Sequence, residues 1–125
     1  MTDFSIAGTQ STPEIRSDWE AGKLFMKGDS YPENSYELFN QVFEWIEAFL
    51  GEEERPLKLE LHLLYLNTSS IKAMMDIFDT LEAAHGDGKP VSVDWFYDQR
   101  NERVAELAEE FKEDCTFPFQ IVSHS

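Results

Sequence analysis

The spacing of apolar positions switches repeatedly along the chain between two residues and three to four, and each switch predicts a new element. Thr9 to Pro13 is polar and turn-prone. Glu14 to Trp19 and Lys23 to Lys27 follow, joined by the Gly-containing connection Glu20-Ala21-Gly22, and read as a β-hairpin. Asp29 to Ser35 is dense in turn formers and supplies a helix start, with Asn34 or Ser35 as the N-cap. Phe39, Val42, Phe43, Ile46, Phe49 and Leu50 then share one helical face, while Glu37, Glu44 and Glu47 lie on the other. Gly51 stands where a helix terminator is expected.

After the charged connector Glu52 to Pro56, the alternation of Leu57 to His62 becomes the continuous run Leu63-Leu64-Tyr65-Leu66. A strand that begins half exposed and ends fully buried fits that change of period. Asn67-Thr68-Ser69-Ser70 offers consecutive side chains able to cap a helix, and Ile71, Met74, Met75, Phe78 and Leu81 resume the helical period. Gly86 to Pro90 ends that helix. Val91, Val93, Trp95 and Tyr97 alternate with polar or outward positions as a strand. A third helix from about Glu102 buries Val104, Leu107, Ala108 and Phe111, and Phe117 to Val122 gives a last strand. The order is hairpin, helix, strand, helix, strand, helix, strand. It implies an α/β fold of two or three layers, a mixed but mostly parallel sheet with an antiparallel N-terminal hairpin at its edge, and three main helices.

With 125 residues, 42% of them apolar and 14% aromatic, the chain can build one packed core, so residues 1–125 are expected to form a single domain. Ten Lys and Arg against 25 Asp and Glu give a formal charge of −15, a field that repels nucleic acid and anionic membrane surfaces. No stretch approaches the roughly 18 apolar residues that span a bilayer, so no membrane insertion is expected. The lone Cys115 and an amino terminus without a basic start and apolar run point to the cytoplasm.

Little in the sequence has the spacing of a catalytic or metal centre. His62, His85 and His124 are scattered and the single cysteine supplies no thiolate set, so neither metal nor cofactor is expected. Gly86-Asp87-Gly88-Lys89 follows a helix rather than a strand and reads as a turn, not a phosphate-cradling loop. Cys115, between Asp114 and Thr116, lacks a basic setting for a thiolate. One place stands out. The strand ending at Leu66 delivers Thr68, Ser69 and Ser70 to a helix start, where free backbone N–H groups and the helix dipole favour negative charge. An added phosphate would be tolerated there, and plain capping by Thr68 or Ser69 would explain the same residues.

The stretch Tyr65-Leu66-Asn67-Thr68-Ser69-Ser70-Ile71-Lys72-Ala73-Met74-Met75-Asp76 resembles the signature of the SiaC family of bacterial regulatory phosphoproteins, which are related in fold to the STAS domains of anti-sigma factor antagonists. The resemblance continues through Gly8 to Pro13, Gly28 to Tyr36 and Asn101 to Phe111. It implies a STAS-like partner-switching protein in which a dedicated kinase phosphorylates the threonine at the strand-to-helix turn, here Thr68, and a PP2C-type phosphatase removes the phosphate. It further implies that the unmodified form binds and activates a diguanylate cyclase, raising cyclic-di-GMP and favouring biofilm formation and aggregation. STAS relatives usually carry Asp-Ser-Ser-Gly at this turn, where the chain has Asn67-Thr68-Ser69-Ser70. The expected docking surface surrounds the switch and includes Asn67, Thr68, Ser69, Ser70 and Lys72. The alternative is a small α/β enzyme with Ser69 or Thr68 as nucleophile and His62 or His85 as base, against which stands the lack of a glycine pair opening the nucleophile's surroundings.

Overall fold

The computed structural model describes residues 2–124. Its elements are β1 (Ser5–Ile6), β2 (Glu14–Asp18), β3 (Lys23–Ser30), α1 (Ser35–Glu52), β4 (Leu57–Leu66), α2 (Thr68–Gly86), β5 (Val91–Asp98), α3 (Glu102–Glu113) and β6 (Phe119–His124). They form a six-stranded sheet in the order β1-β2-β3-β4-β5-β6. The first two pairings are antiparallel and the remaining three parallel. Each parallel step is bridged by one helix, because parallel neighbours cannot be joined by a tight turn. The α/β class, the mixed sheet, the β2–β3 hairpin and the three helices agree with the sequence pattern.

All three helices lie on one face, so the architecture has two layers. Alternation explains which face: Leu57, Leu59, Leu61 and Leu63 of β4 are buried beneath the helices together with Val91, Val93 and Trp95 of β5. Phe78 of α2 meets Phe111 of α3 at 5.0 Å between ring centroids, and Phe111 stacks on Trp95 at 5.8 Å. On the opposite face, Arg16, Phe25, Glu60, His62 and Phe96 point away from the helices. Parallel strands are ordinarily covered on both sides. Here cross-strand ion pairs, Lys23–Glu60 at 2.6 Å and Lys58–Asp94 at 3.2 Å, substitute for a second helical layer. A row of rings completes the cover: the Arg16 guanidinium lies over Phe25, and the His62 ring stacks on Phe96 at 4.8 Å.

Glu60 anchors that face and makes it acid-sensitive. Its bond to the Lys23 ammonium, aided by His62 and opposed by partial burial, holds its pKa below the ordinary glutamate value. Because the native pKa is lowered, the contribution is complete above the ordinary value and lost as the pH falls through the native one. Glu60→Gln is therefore expected to lower the denaturant midpoint at neutral pH, with the gap from the unsubstituted protein closing in acid. A gap that is constant with pH would contradict this.

Four boundaries differ from the sequence reading, each for a local reason. The strand β1 is only two residues long, too short for an alternating pattern. The turn-rich Gly28-Asp29-Ser30 continues β3, because Gly28 at φ +119° absorbs a register irregularity against β4 and Ser30 is buried beside Leu66. That irregularity leaves Leu64 without a partner on β3, and Leu64 and Tyr65 are 48% and 52% exposed rather than buried as expected. Helix α1 runs through Gly51 to Glu52, and β6 begins at Phe119 rather than Phe117.

Candidate functional site

The carboxyl ends of the parallel strands and the amino ends of all three helices meet along one rim of the sheet. Each helix there begins on an asparagine whose side-chain oxygen accepts a backbone N–H: Asn34 from Glu37, Asn67 from Ser70 at 2.9 Å, and Asn101 from Val104. The caps also fasten the rim together. Asn101 Nδ2 donates to the Leu64 carbonyl, and the Asn67 backbone N–H to that of Ser30.

Thr68 is the first residue of α2 and exposed. The sequence left capping to Thr68 or Ser69, but Asn67 does it, so the Thr68 hydroxyl has no hydrogen-bond partner among the described residues. The first turn of α2 contains no acid, unlike those of α1 and α3, which carry Glu37 and Glu102. In a chain of charge −15, this helix start keeps its unneutralised N–H groups for an added anion. It follows that Asn67→Ala should cost about 1 kcal/mol of stability, whereas Thr68→Ala should stay within about 0.5 kcal/mol. Chemical denaturation of the two variants decides; equal losses would mean that Thr68 shares the cap.

The remaining sequence-predicted residues divide. Ser69 is exposed and its hydroxyl lies 2.6 Å from that of Ser35, tying the starts of α1 and α2 together. Lys72 is exposed one turn on, 3.6 Å from Asp76. Ser70 is fully buried with its hydroxyl 2.8 Å from that of Ser30, so it holds α2 against β3 and is not part of the surface. The nucleophile-and-base constellation does not assemble. His62 lies on the uncovered sheet face with Nε2 2.8 Å from Glu60, and His85 occupies the last turn of α2, some 25 Å along the helix from Thr68.

Exposed aromatics were not legible in the sequence. Of the five exposed large apolar side chains among the described residues, Tyr31, Tyr36, Leu64 and Tyr65 all lie on this rim, the fifth being Met75. Tyr31 and Tyr65 meet edge to face at 5.9 Å. Leu64, Tyr65 and Leu66 also line a shallow cavity of about 210 Å³ with Arg103 and Leu107 of α3. Cys115 is elsewhere, half-buried, with its thiol pushed up to about 11 chiefly by burial and further by the carboxylates of Glu82, Asp114 and Asp79. Its alkylation by iodoacetamide at neutral pH should be far slower than that of an exposed thiol. Labelling at the rate of free cysteine would contradict that environment.

This rim belongs to a recognisable lineage. A family model described as SiaC family regulatory phosphoprotein matches residues 6–124. The chain belongs to the SiaC family. An uncharacterized protein of Pseudomonas aeruginosa (strain UCBPP-PA14) is 69% identical over 124 residues, covering 99% of this chain and 98% of that protein. The solved structure of SiaC of Pseudomonas aeruginosa is 67% identical with a TM-score of 0.95, over 99% of this chain and 100% of the other. SiaC has also been solved in complex with the diguanylate cyclase SiaD of the same organism, as that enzyme's activator; this SiaC chain is 70% identical with a TM-score of 0.95, over 98% and 100% of the two chains. The SiaC family is thus one of regulatory phosphoproteins, and the two-layer fold described above is that of its solved members.

Proposed function

We propose that the chain is a non-enzymatic partner switch: unphosphorylated, it binds and activates a diguanylate cyclase and so raises cyclic-di-GMP and promotes biofilm formation and aggregation. Phosphorylation of Thr68 by a dedicated kinase blocks that contact, and a PP2C-type phosphatase restores it. The observation that carries the reading is the exposed Thr68 hydroxyl, released from capping duty by Asn67 and set on a rim that gathers Tyr31, Leu64 and Tyr65. A cyclase-activating relative of 70% identity supports the choice of partner. A phosphate brings about 1.5 to 2 negative charges and three acceptor oxygens; the helix start accepts it while an apolar partner surface cannot. Docking surface membership is assigned to Asn67, Thr68, Ser69 and Lys72, with Ser70 serving the interior.

Such a switch works in the cytoplasm, where the cyclase and the kinase find their nucleotide substrates and the phosphatase meets the phosphorylated chain. Cyclic-di-GMP production by a purified diguanylate cyclase of the same cell, with and without the chain, tests the proposal. Production should rise with the unphosphorylated chain and return to the basal rate once the kinase and ATP have modified it. No rise with the unphosphorylated chain, or turnover of ester substrates by the chain alone, would refute it.

A further inference from the structure

We propose that the cavity between the end of β4 and α3 seats an apolar side chain of the cyclase, and that Arg103 at its edge pairs with a carboxylate carried beside that side chain. The proposal deepens the partner-switch reading and rests on it for the identity of the partner. The cavity holds about 210 Å³, and Leu64, Tyr65, Leu66, Val104 and Leu107 line it together with Arg103. It exists because the register irregularity at Gly28 and Asp29 leaves Leu64 without a partner on β3 and turns Leu64 and Tyr65 outward. An exposed, mostly apolar concavity of this size suits one aliphatic or aromatic anchor.

Arg103 selects what accompanies the anchor. Among the described residues it is the only charge in the lining, it is exposed, and no carboxylate pairs with it. The other cations near this rim are engaged: Lys72 faces Asp76, and Arg100 is paired with Asp98 at 2.8 Å. In a chain of charge −15, a free guanidinium beside an apolar seat is a planar fork open to a carboxylate from outside.

Thr68 gives the same sign on separate grounds. It follows Leu66 of the cavity wall by two residues, so their Cα atoms are at most about 7 Å apart. A phosphate on Thr68 repels an acidic segment seated in the cavity and would draw a basic one in. A switch that phosphorylation turns off therefore needs the acidic occupant, and a basic one would also meet Arg103.

Titration calorimetry of the purified cyclase with the unmodified full chain and its variants tests this. Arg103→Glu should raise Kd roughly tenfold or more, and Arg103→Lys, which keeps the charge without the fork, by about threefold. Leu64→Ala should weaken binding by about fivefold through the apolar seat. Lys112→Glu, the same charge change on the same helix but outside the cavity, should leave Kd unaltered. When the cyclase's Asp and Glu residues are replaced singly by Lys, one variant should restore binding to Arg103→Glu, a rescue that misfolding of Arg103→Glu could not produce. Unchanged or tighter binding by Arg103→Glu, an equal loss with Lys112→Glu, or the absence of any restoring cyclase variant would each overturn the proposal. No binding by the unsubstituted chain would overturn it together with the partner-switch reading. Binding confined to the unmodified chain, with Arg103→Glu equal to the unsubstituted protein, would leave the switch standing and remove this seat alone.

Discussion

Thr68→Ala is expected to bind the cyclase as tightly as the unsubstituted chain and to activate it even in the presence of kinase and ATP, whereas Thr68→Asp weakens binding and full phosphorylation abolishes it at working concentrations. The alanine change removes an exposed hydroxyl that caps nothing, since the Asn67 oxygen already holds the Ser70 N–H at 2.9 Å. A phosphate on the same residue must be stripped of water beside Tyr31, Leu64 and Tyr65 when a partner closes over the rim. Unpaired or like-charged groups in such a contact cost about 2 to 4 kcal/mol, roughly 30- to 1,000-fold in Kd. Aspartate carries one charge and a flat carboxylate, so its loss should be partial, about 1 kcal/mol or roughly fivefold. Titration calorimetry against the cyclase measures all three. Equal affinity of the phosphorylated and unmodified chains would remove the switch from Thr68.

Gly22→Ala is expected to be the most damaging single methyl addition, lowering stability by about 2 to 4 kcal/mol. Gly22 closes the β2–β3 hairpin at φ +65°, a conformation that favours glycine, and a Cβ there would overlap the Pro56 carbonyl oxygen and press on the Phe49 ring. Neither neighbour yields cheaply. The Pro56 carbonyl is backbone, and Phe49 is fully buried against Trp45. The Gly22 carbonyl also accepts the Lys58 N–H at 2.8 Å, so a shift of the hairpin would disturb the start of β4. By contrast Gly51→Ala, in α1 with open space around its Cβ, should be neutral or stabilising. Urea unfolding of both variants distinguishes them, and a Gly22→Ala midpoint equal to that of Gly51→Ala would contradict the geometry.

Most of the fold was legible because the periods of β4, α2, β5 and α3 are long and clean, and each is bounded by turn residues or asparagine caps. The rim was legible in part. Sequence alone placed Thr68 at a strand-to-helix turn, but could not choose among consecutive capping side chains, since that choice depends on which oxygen reaches the Ser70 N–H. Ser70 was misassigned to the surface because its burial comes from Ser30, forty positions earlier on β3, through a strand that the turn-rich Gly28-Asp29-Ser30 concealed. The exposure of Leu64 and Tyr65 was hidden for a related reason: a register irregularity at Gly28 and Asp29 belongs to a pair of strands, not to either strand's own pattern. Nothing in the spacing of α1 marked Tyr36, whose ring stands exposed in the first turn of that helix.

The measurement that bears most directly on the switch is intact-mass spectrometry with site mapping on the protein isolated from its native cell, followed by cyclase binding of the separated forms. The account predicts a single added phosphate on Thr68 and cyclase binding confined to the unmodified fraction. Phosphate mapped to Ser69 with Thr68 unmodified, or cyclase captured equally by both fractions, would contradict it.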